Sequence, residues 1–165
     1  AKTLLHSLIT KWAQISISDA LQLLTFKYQD PYVRAHAIKN LERLNNEELL
    51  DYLLPLVTAL KYELYHDSPL AQFLLTRALQ DKKIGHRFFW HLKADMHDAL
   101  VATRYKLLLD AFLRGCGPAR ASYYMQDEMQ RLFIGLANTV IKEPEQKNRT
   151  PLLRDLLAKT QLPSK

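Results

Sequence analysis

Residues 30–64 read "DPYVRAHAIKNLERLNNEELLDYLLPLVTALKYEL" and contain two helix starts, each followed by apolar residues at helical spacing. Asp30 followed by Pro31 is a typical N-cap with proline at the first helical position. Asn45 or Asn46 caps the next helix, which has two glutamates in its first turn. We therefore predict two helices, each with one buried face. The apolar positions that we place in the core here are Val33, Ala37, Leu41, Leu53, Leu56 and Leu60.

The second predicted helix extends to Leu64 and has an unusually wide apolar arc, which includes Leu54. A wide arc indicates contact with more than one neighbouring helix, as in layered helical repeats. Pro55 lies inside this helix, removes one backbone donor and crowds the carbonyl near Asp51. We expect a kink or a loosened turn there.

The rest of the chain divides into similar segments of about ten to twenty residues, joined by short loops and paired at a spacing of about 35 to 40 residues, as in two-helix repeats. Almost half of the residues are hydrophobic and only four are glycine. This composition favours packed helices over a turn-rich sheet protein. We predict an all-α protein built as a solenoid of paired helices.

The segment "IGHRFFWHLKADMH", residues 84–97, combines three histidines with three large aromatic residues. Because each helical residue advances about 100°, His86, His91 and His97 diverge, and we expect no metal site. Trp90 lies nearly opposite the apolar stripe, which predicts that both sides of this helix are covered. The core positions predicted here and in the preceding helix are Phe73, Leu74, Ile84, Phe88, Trp90 and Leu92.

Signatures of catalysis are missing from the sequence. The four glycines fit neither a phosphate-binding loop nor a dinucleotide fingerprint, and the kinase motifs are absent. Cys116 is the only cysteine, and we expect an inert thiol in a reducing, cytosolic protein. No run is long and apolar enough for a membrane span, and the start lacks a signal-peptide pattern.

The formal net charge of +6 suits an acidic protein partner, an anionic membrane surface or nucleic acid. RNA-binding modules interleave exposed aromatic residues with basic ones, whereas the aromatic residues here have core spacing, so we expect no nucleic acid partner. One basic cluster is either an ordinary solvated face or a contact for a partner or for lipid headgroups. Its members are Arg77, Lys82, Lys83, Arg87 and Lys93.

Four motifs follow one another in a fixed order: Asp30 with "VRAHAI" (33–38), "YLLPLVTALKYE" (52–63), "DSPLAQFLLTRAL" (67–79) and "IGHRFFWHLK" (84–93). Together they resemble the helical (PIK, or accessory) domain of phosphoinositide 3-kinases. The resemblance is strongest over about residues 12–117. The last motif favours class I of the family, while "LLDYLLPLV" and "HDSPL" also suit class II, and class I ranks slightly ahead.

The resemblance implies a right-handed α-solenoid of antiparallel HEAT- or armadillo-like helix pairs. It assigns residues 1–143 to this domain, without the first helices of the family, and residues 144–165 to a polar break, a short last helix and a linker toward a kinase domain. Pro55 departs from the glutamine usual in the family.

The resemblance also implies a function. We expect a scaffold against which the C2, Ras-binding and kinase domains of a phosphatidylinositol 3-kinase pack, with a regulatory subunit as a further candidate partner. ATP and magnesium would bind the kinase domain, so this chain alone is expected to be catalytically silent and to hold no cofactor. The parent would be cytoplasmic and recruited peripherally to membranes. The alternative is a free-standing adaptor that docks an acidic partner or a membrane surface through the basic cluster.

Overall fold

The computed structural model describes residues 8, 9 and 14–161, and this part of the chain is helical without any β-strand. The all-α prediction is confirmed. Between residues 14 and 161 the helices are α1 (Ile17–Leu23), α2 (Pro31–Leu41), α3 (Asn46–Ala59), α4 (Pro69–Gln80), α5 (Lys82–Ala94), α6 (Ala102–Gly115), α7 (Ala119–Ile141) and α8 (Gln146–Lys159), with a 3-10 turn at Leu60–Tyr62.

Side-chain caps fix the starts of the central helices. The Asp30 carboxylate accepts hydrogen bonds from the backbone N–H groups of Tyr32 and Val33, at 2.9 and 3.4 Å. Asn45 and Glu48 form a reciprocal capping box at the start of α3. Each such cap stabilises a helix by about 1 kcal/mol. The predicted helix starts at Asp30 and Asn45 are therefore confirmed.

The helix that contains Pro55 ends earlier than the sequence pattern predicts. The backbone stays α-helical through Pro55 as far as Ala59, and then tightens into the 3-10 turn. Leu64 consequently lies beyond the helix and is 55% exposed, and Leu54 is exposed to the same extent. The prediction that one apolar face continues to Leu64 is wrong, because the backbone becomes extended at Glu63 and the helical spacing ends there.

Contacts between the helices divide the chain into two compact units, and the boundary along the sequence lies between Gly115 and Cys116. In the first unit α4 contacts α2, α5 and α6, while α5 also contacts α3 and α6. Helices two apart in the chain are thus neighbours, as in stacked helix pairs. The hand of any superhelix stays a prediction, as does the proposed boundary at residue 143.

The second unit contains α7 and α8, which pack against each other as a helical hairpin. Among its described residues, which end at 161, Tyr123 alone is buried. The core of the first unit is far more extensive. It includes Val33, Ala37, Leu41, Leu53, Leu56, Leu60, Phe73, Leu74, Ile84, Phe88 and Leu92, all less than 9% exposed.

A buried tyrosine joins α6 to α3 inside the first unit. Tyr105 is fully buried, and its hydroxyl donates a hydrogen bond of 3.0 Å to the carbonyl of Val57. Burial raises the pKa of Tyr105 to about 12, because the phenolate would lose its hydration. The hydrogen bond satisfies the polar end of an otherwise apolar side chain.

Candidate functional site

The aromatic segment forms α5, whose buried face packs tightly against α4 and α6. Phe88 meets Phe112 edge-on, with ring centroids 5.9 Å apart. Beside them, a Cβ atom added to Gly85 would lie 2.6 Å from the carbonyl oxygen of Ala78. Only glycine permits so close an approach of two backbones. This part of the segment is therefore structural core.

Trp90 corrects the prediction of a helix covered on both sides, because it is half-buried rather than buried. It lies about 160° around α5 from the stripe that contains Phe88. The indole Nε1 donates a hydrogen bond of 3.2 Å to Nε2 of His86 on the same helix. The aromatic ring also packs edge-on against Phe89, at 5.0 Å.

The three histidines of this segment have separate surroundings. His86 accepts from Trp90, whereas Nδ1 of His97 lies 2.9 Å from the carbonyl oxygen of Ala94. His91 is half-buried, and burial and the nearby Arg87 guanidinium lower its pKa, an effect that Asp95 partly offsets. Among the residues that the structure describes, no three histidine, cysteine or acidic side chains are close enough to hold a metal ion.

Two arginines of the basic cluster bond to neighbouring segments of the first unit. Nη2 of Arg77 donates to the carbonyl of Leu44 at 2.8 Å and to Oδ1 of Asn46 at 2.7 Å. Nη1 of Arg87 similarly donates to the carbonyl of Leu50, at 3.3 Å. Both arginines thus fasten neighbouring helices to one another, which reduces their availability to a partner.

The lysines of the cluster are separated along α5. Lys82 and Lys83 are exposed in its first turn, whereas Lys93 is half-buried near its end. The rise per residue places Lys82 and Lys93 about 16 Å apart along the helix axis. The adaptor alternative, with the basic cluster as its docking face, stays a prediction.

A buried ion pair, which the sequence pattern does not predict, lies between Arg34 of α2 and Glu63. The two side chains are 4% and 5% exposed. Nε and Nη2 of Arg34 donate to Oε1 of Glu63 at 2.8 and 2.5 Å. Nη1 donates to the carbonyls of Thr25 and Tyr28, at 3.3 and 3.0 Å. One guanidinium therefore joins α2, the loop after α1 and the end of the 3-10 turn.

Arg104 of α6 reaches the same 3-10 turn from another direction. Its Nη1 donates to the carbonyl of Leu60, and its Nη2 donates to the carbonyl of Glu63 at 2.6 Å. Burial lowers the pKa of Arg104, and the Glu63 carboxylate partly offsets this effect. Arg34 of α2 and Arg104 of α6 thus both bond to Glu63.

The core positions predicted for α2 from apolar spacing do not include Arg34, yet this residue is 3% exposed. A signal for its burial exists, because Arg34 shares the spacing i, i+4, i+7 with Ile38 and Leu41, which are buried. Periodicity scored on apolar residues alone passes over a charged residue in such a stripe. Its partner Glu63 lies 29 residues away and beyond the helix, so helical spacing cannot pair the two.

An open apolar groove of about 550 Å³ runs between α1 and the C-terminal half of α3. Its lining contains no charged side chain: Ser18, Leu21, Gln22, Leu24, Thr25, Leu54, Pro55, Thr58, Ala59 and Tyr62. Tyr62 is 38% exposed, and the centroid of its ring lies 6.0 Å from that of the exposed Phe26 ring. Arg34 joins the two walls, because it bonds both the Thr25 carbonyl and the Glu63 carboxylate.

Burial opposes activation of Cys116 as a nucleophile and outweighs the opposing effect of the nearby Arg120. Its thiol is half-buried, and burial raises its pKa, so the protonated form dominates near neutral pH. None of the helices described between residues 14 and 161 has the length and hydropathy needed to cross a membrane.

Comparison with known proteins identifies the family of this arrangement of helices. A model of the phosphoinositide 3-kinase accessory domain (PIK domain) matches residues 1–125. Phosphatidylinositol 3-kinase 1 of Dictyostelium discoideum is 38% identical over 149 residues, which cover 90% of this chain and 10% of that protein. Phosphatidylinositol 3-kinase 2 of the same organism is 37% identical over 153 residues, covering 92% of this chain and 8% of that protein. The chain spans about a tenth of the length of these relatives, and it belongs to the phosphoinositide 3-kinase accessory (PIK) domain family.

Proposed function

We propose that this chain is the helical scaffold of a phosphatidylinositol 3-kinase catalytic subunit and that it organises the C2, Ras-binding and kinase domains. ATP and magnesium bind the kinase domain in this proposal, and the present chain contributes rigidity and docking surfaces but no catalytic group. A regulatory subunit is a further partner. The parent acts in the cytoplasm and is recruited peripherally to the membrane that contains its lipid substrate.

The apolar groove beside the Arg34–Glu63 pair is the observation that carries this proposal. A partner that covers a groove without charged side chains removes apolar surface from water, which is favourable. Contiguous exposed apolar surface often marks such interfaces. The buried pair and Arg104 fix the position of Glu63, which directly follows the groove residue Tyr62. Rigid walls favour docking because little conformational entropy is lost on binding.

The test uses two leucines with similar exposure in the full-length protein. Leu54 lines the groove and is 55% exposed, whereas Leu107 lies on α6 outside that groove and is 51% exposed. We expect Leu54→Glu to reduce phosphorylation of phosphatidylinositol in vesicles and to speed tryptic cleavage between domains, because a charge is costly to bury. Leu107→Glu should change both measurements much less.

Circular dichroism of both full-length variants controls for loss of helix. Equal activity and equal cleavage rates in Leu54→Glu and the unmodified protein would argue against docking at the groove. An equal loss in both variants would also contradict the proposal, since it would show a general intolerance of exposed charge.

A further inference from the structure

Two Ser/Thr-Pro dipeptides occur in this sequence, Ser68–Pro69 and Thr150–Pro151. Protein kinases that require proline after the acceptor hydroxyl recognise this dipeptide in an extended, accessible segment. The structure gives the two dipeptides opposite environments, and this contrast is independent of the function proposed above.

Ser68 is unsuited to phosphorylation because it is the N-cap of α4. The residue is 2% exposed, and its hydroxyl oxygen accepts a hydrogen bond of 3.2 Å from the backbone N–H of Ala71. A kinase could reach this hydroxyl only after the start of α4 had unfolded. Such unfolding would also expose Leu70, which is fully buried.

Thr150 is exposed and lies near the start of α8, which is weakly held. The N-cap Glu145 makes no side-chain capping bond, and the first turn contains no acidic residue. None of the residues of α8, 146–159, is buried. Polar contacts hold this turn, among them the bonds of Asn148 to Glu143 and Glu145, but no buried side chain does. Segments without buried packing open with a small free energy.

Pro151 weakens the same turn further. It has no N–H group, so the carbonyl of Lys147 lacks its usual donor four residues later. The proline ring also disfavours the α-helical conformation at Thr150 and favours an extended one. An extended residue before proline is the conformation that a proline-directed kinase binds, so the local sequence lowers the free energy of reaching it.

We propose that Thr150 is a phosphorylation site for a proline-directed serine/threonine protein kinase. The Oγ1 atom of Thr150 attacks the γ-phosphorus of ATP bound to that kinase. A new Oγ1–P bond forms while the bond from the γ-phosphorus to the β,γ-bridging oxygen breaks, and ADP leaves. The hydroxyl proton passes to the catalytic carboxylate of the kinase.

The product places about two negative charges on a basic part of α8. Lys147 and Arg154 lie three residues before and four residues after Thr150, on the same side of the helix. Arg149 donates to the carbonyls of Glu143 and Ile141, at 3.0 and 3.4 Å, and holds the turn between α7 and α8. The phosphate thus appears near these cations, five residues after the N-cap of α8. Lys147 also pairs with the carboxylate of that N-cap, Glu145, at 3.1 Å.

The test incubates the native full-length protein with a purified proline-directed kinase and magnesium ATP, and then maps phosphate by peptide mass spectrometry. We expect incorporation at Thr150 and none at Ser68. Thr150→Ala should abolish it, and Pro151→Ala should reduce it at least tenfold, since this variant retains the hydroxyl but loses the recognised ring and strengthens the helix. Phosphate at Ser68 instead, no phosphate at Thr150 in the native protein, or equal labelling of Pro151→Ala would each overturn the proposal.

Discussion

Leucines at helical spacing have different fates in the two compact units. Leu53 and Leu56 of α3 are fully buried in the first unit, whereas Leu153 and Leu157 of α8 are 37% and 44% exposed in the second. The side chains are chemically identical, so hydropathy does not explain the difference. Helices of the first unit have several neighbours, whereas α7 and α8 have only each other within their unit. The burial of an apolar face depends on how many helices pack around it. The spacing of residues along one helix does not give that number.

Ion pairs follow the same contrast. Arg34 and Glu63 are almost completely buried in the first unit, whereas Lys159 and Asp155 of the second are 72% and 55% exposed. The exposed pair is an i, i+4 contact on one helix and can be predicted from spacing. The buried pair joins distant segments. Removing one of its two residues leaves the other charge buried without a counter-ion.

The largest expected effect compares one substitution in both units. Phe88 is fully buried against Phe112, whereas Phe133 is 43% exposed. Phe88→Ala should lower the free energy of unfolding by about 4 kcal/mol by opening a cavity, and Phe133→Ala by about 0.5 kcal/mol. Urea unfolding measures both: the fluorescence of Trp90 reports on the first unit, and circular dichroism reports on both units. Similar decreases in the free energy of unfolding for the two variants would contradict the difference in burial between the units.

Glu63→Ala tests the buried ion pair against the exposed one. The substitution strands the Arg34 guanidinium at 3% exposure, and we expect it to lower the free energy of unfolding by about 3 kcal/mol. Asp155→Ala should change it by less than about 0.5 kcal/mol, because that pair remains hydrated. Thermal denaturation at low and high salt separates the two, since salt screens only the exposed pair appreciably. A small, salt-sensitive loss in Glu63→Ala would contradict burial of this charge.

Trp90 lies between these extremes and shows where the sequence pattern is insufficient. Apolar periodicity correctly places Ile84, Phe88 and Leu92 in the core, because that rule follows from the geometry of one helix. It cannot say whether a second helix covers the opposite side, and Trp90 is half-buried. We therefore expect Trp90→Ala to lower the free energy of unfolding by about 2 kcal/mol, below the range for a fully buried aromatic residue. Circular dichroism during thermal unfolding checks this value.

Local chemistry makes the helix starts predictable, whereas the candidate site is only partly so. Asp30 and Asn45 cap helices through bonds to residues two or three positions away, which a short window of sequence contains. The apolar groove instead combines α1 with α3, and its width depends on Arg34 bonds across 9 and 29 residues. Interactions at such separations require the fold itself.

Substitution of two helical glycines by alanine should change stability in opposite directions. A Cβ at Gly85 would lie 2.6 Å from the Ala78 carbonyl, whereas a Cβ at Gly135 in α7 has no atom within 4 Å. Gly85→Ala should lower the free energy of unfolding by about 1–3 kcal/mol, because a backbone must move. Gly135→Ala should raise the stability of its helix by about 1 kcal/mol. Hydrogen exchange of α5 and α7, read separately by mass spectrometry, checks both; faster exchange in Gly135→Ala would show an unseen contact there.

The smallest expected effect is a dependence on pH confined to the first unit. All six histidines precede residue 116. Burial lowers the pKa of His91 below its ordinary value of 6.5, so the unfolded chain binds a proton at this residue more readily than the folded one. Stability from this group is complete above pH 6.5 and is lost as the pH falls below it. The urea midpoint measured by fluorescence should therefore decrease from about pH 7.5 to about pH 5.5, and decrease less in His91→Gln. Other groups also titrate over this range, so the difference between the two proteins isolates His91. An equal decrease in both would exclude His91 as a source, and a matching change in exchange from α8 would show that the two units do not respond to pH separately.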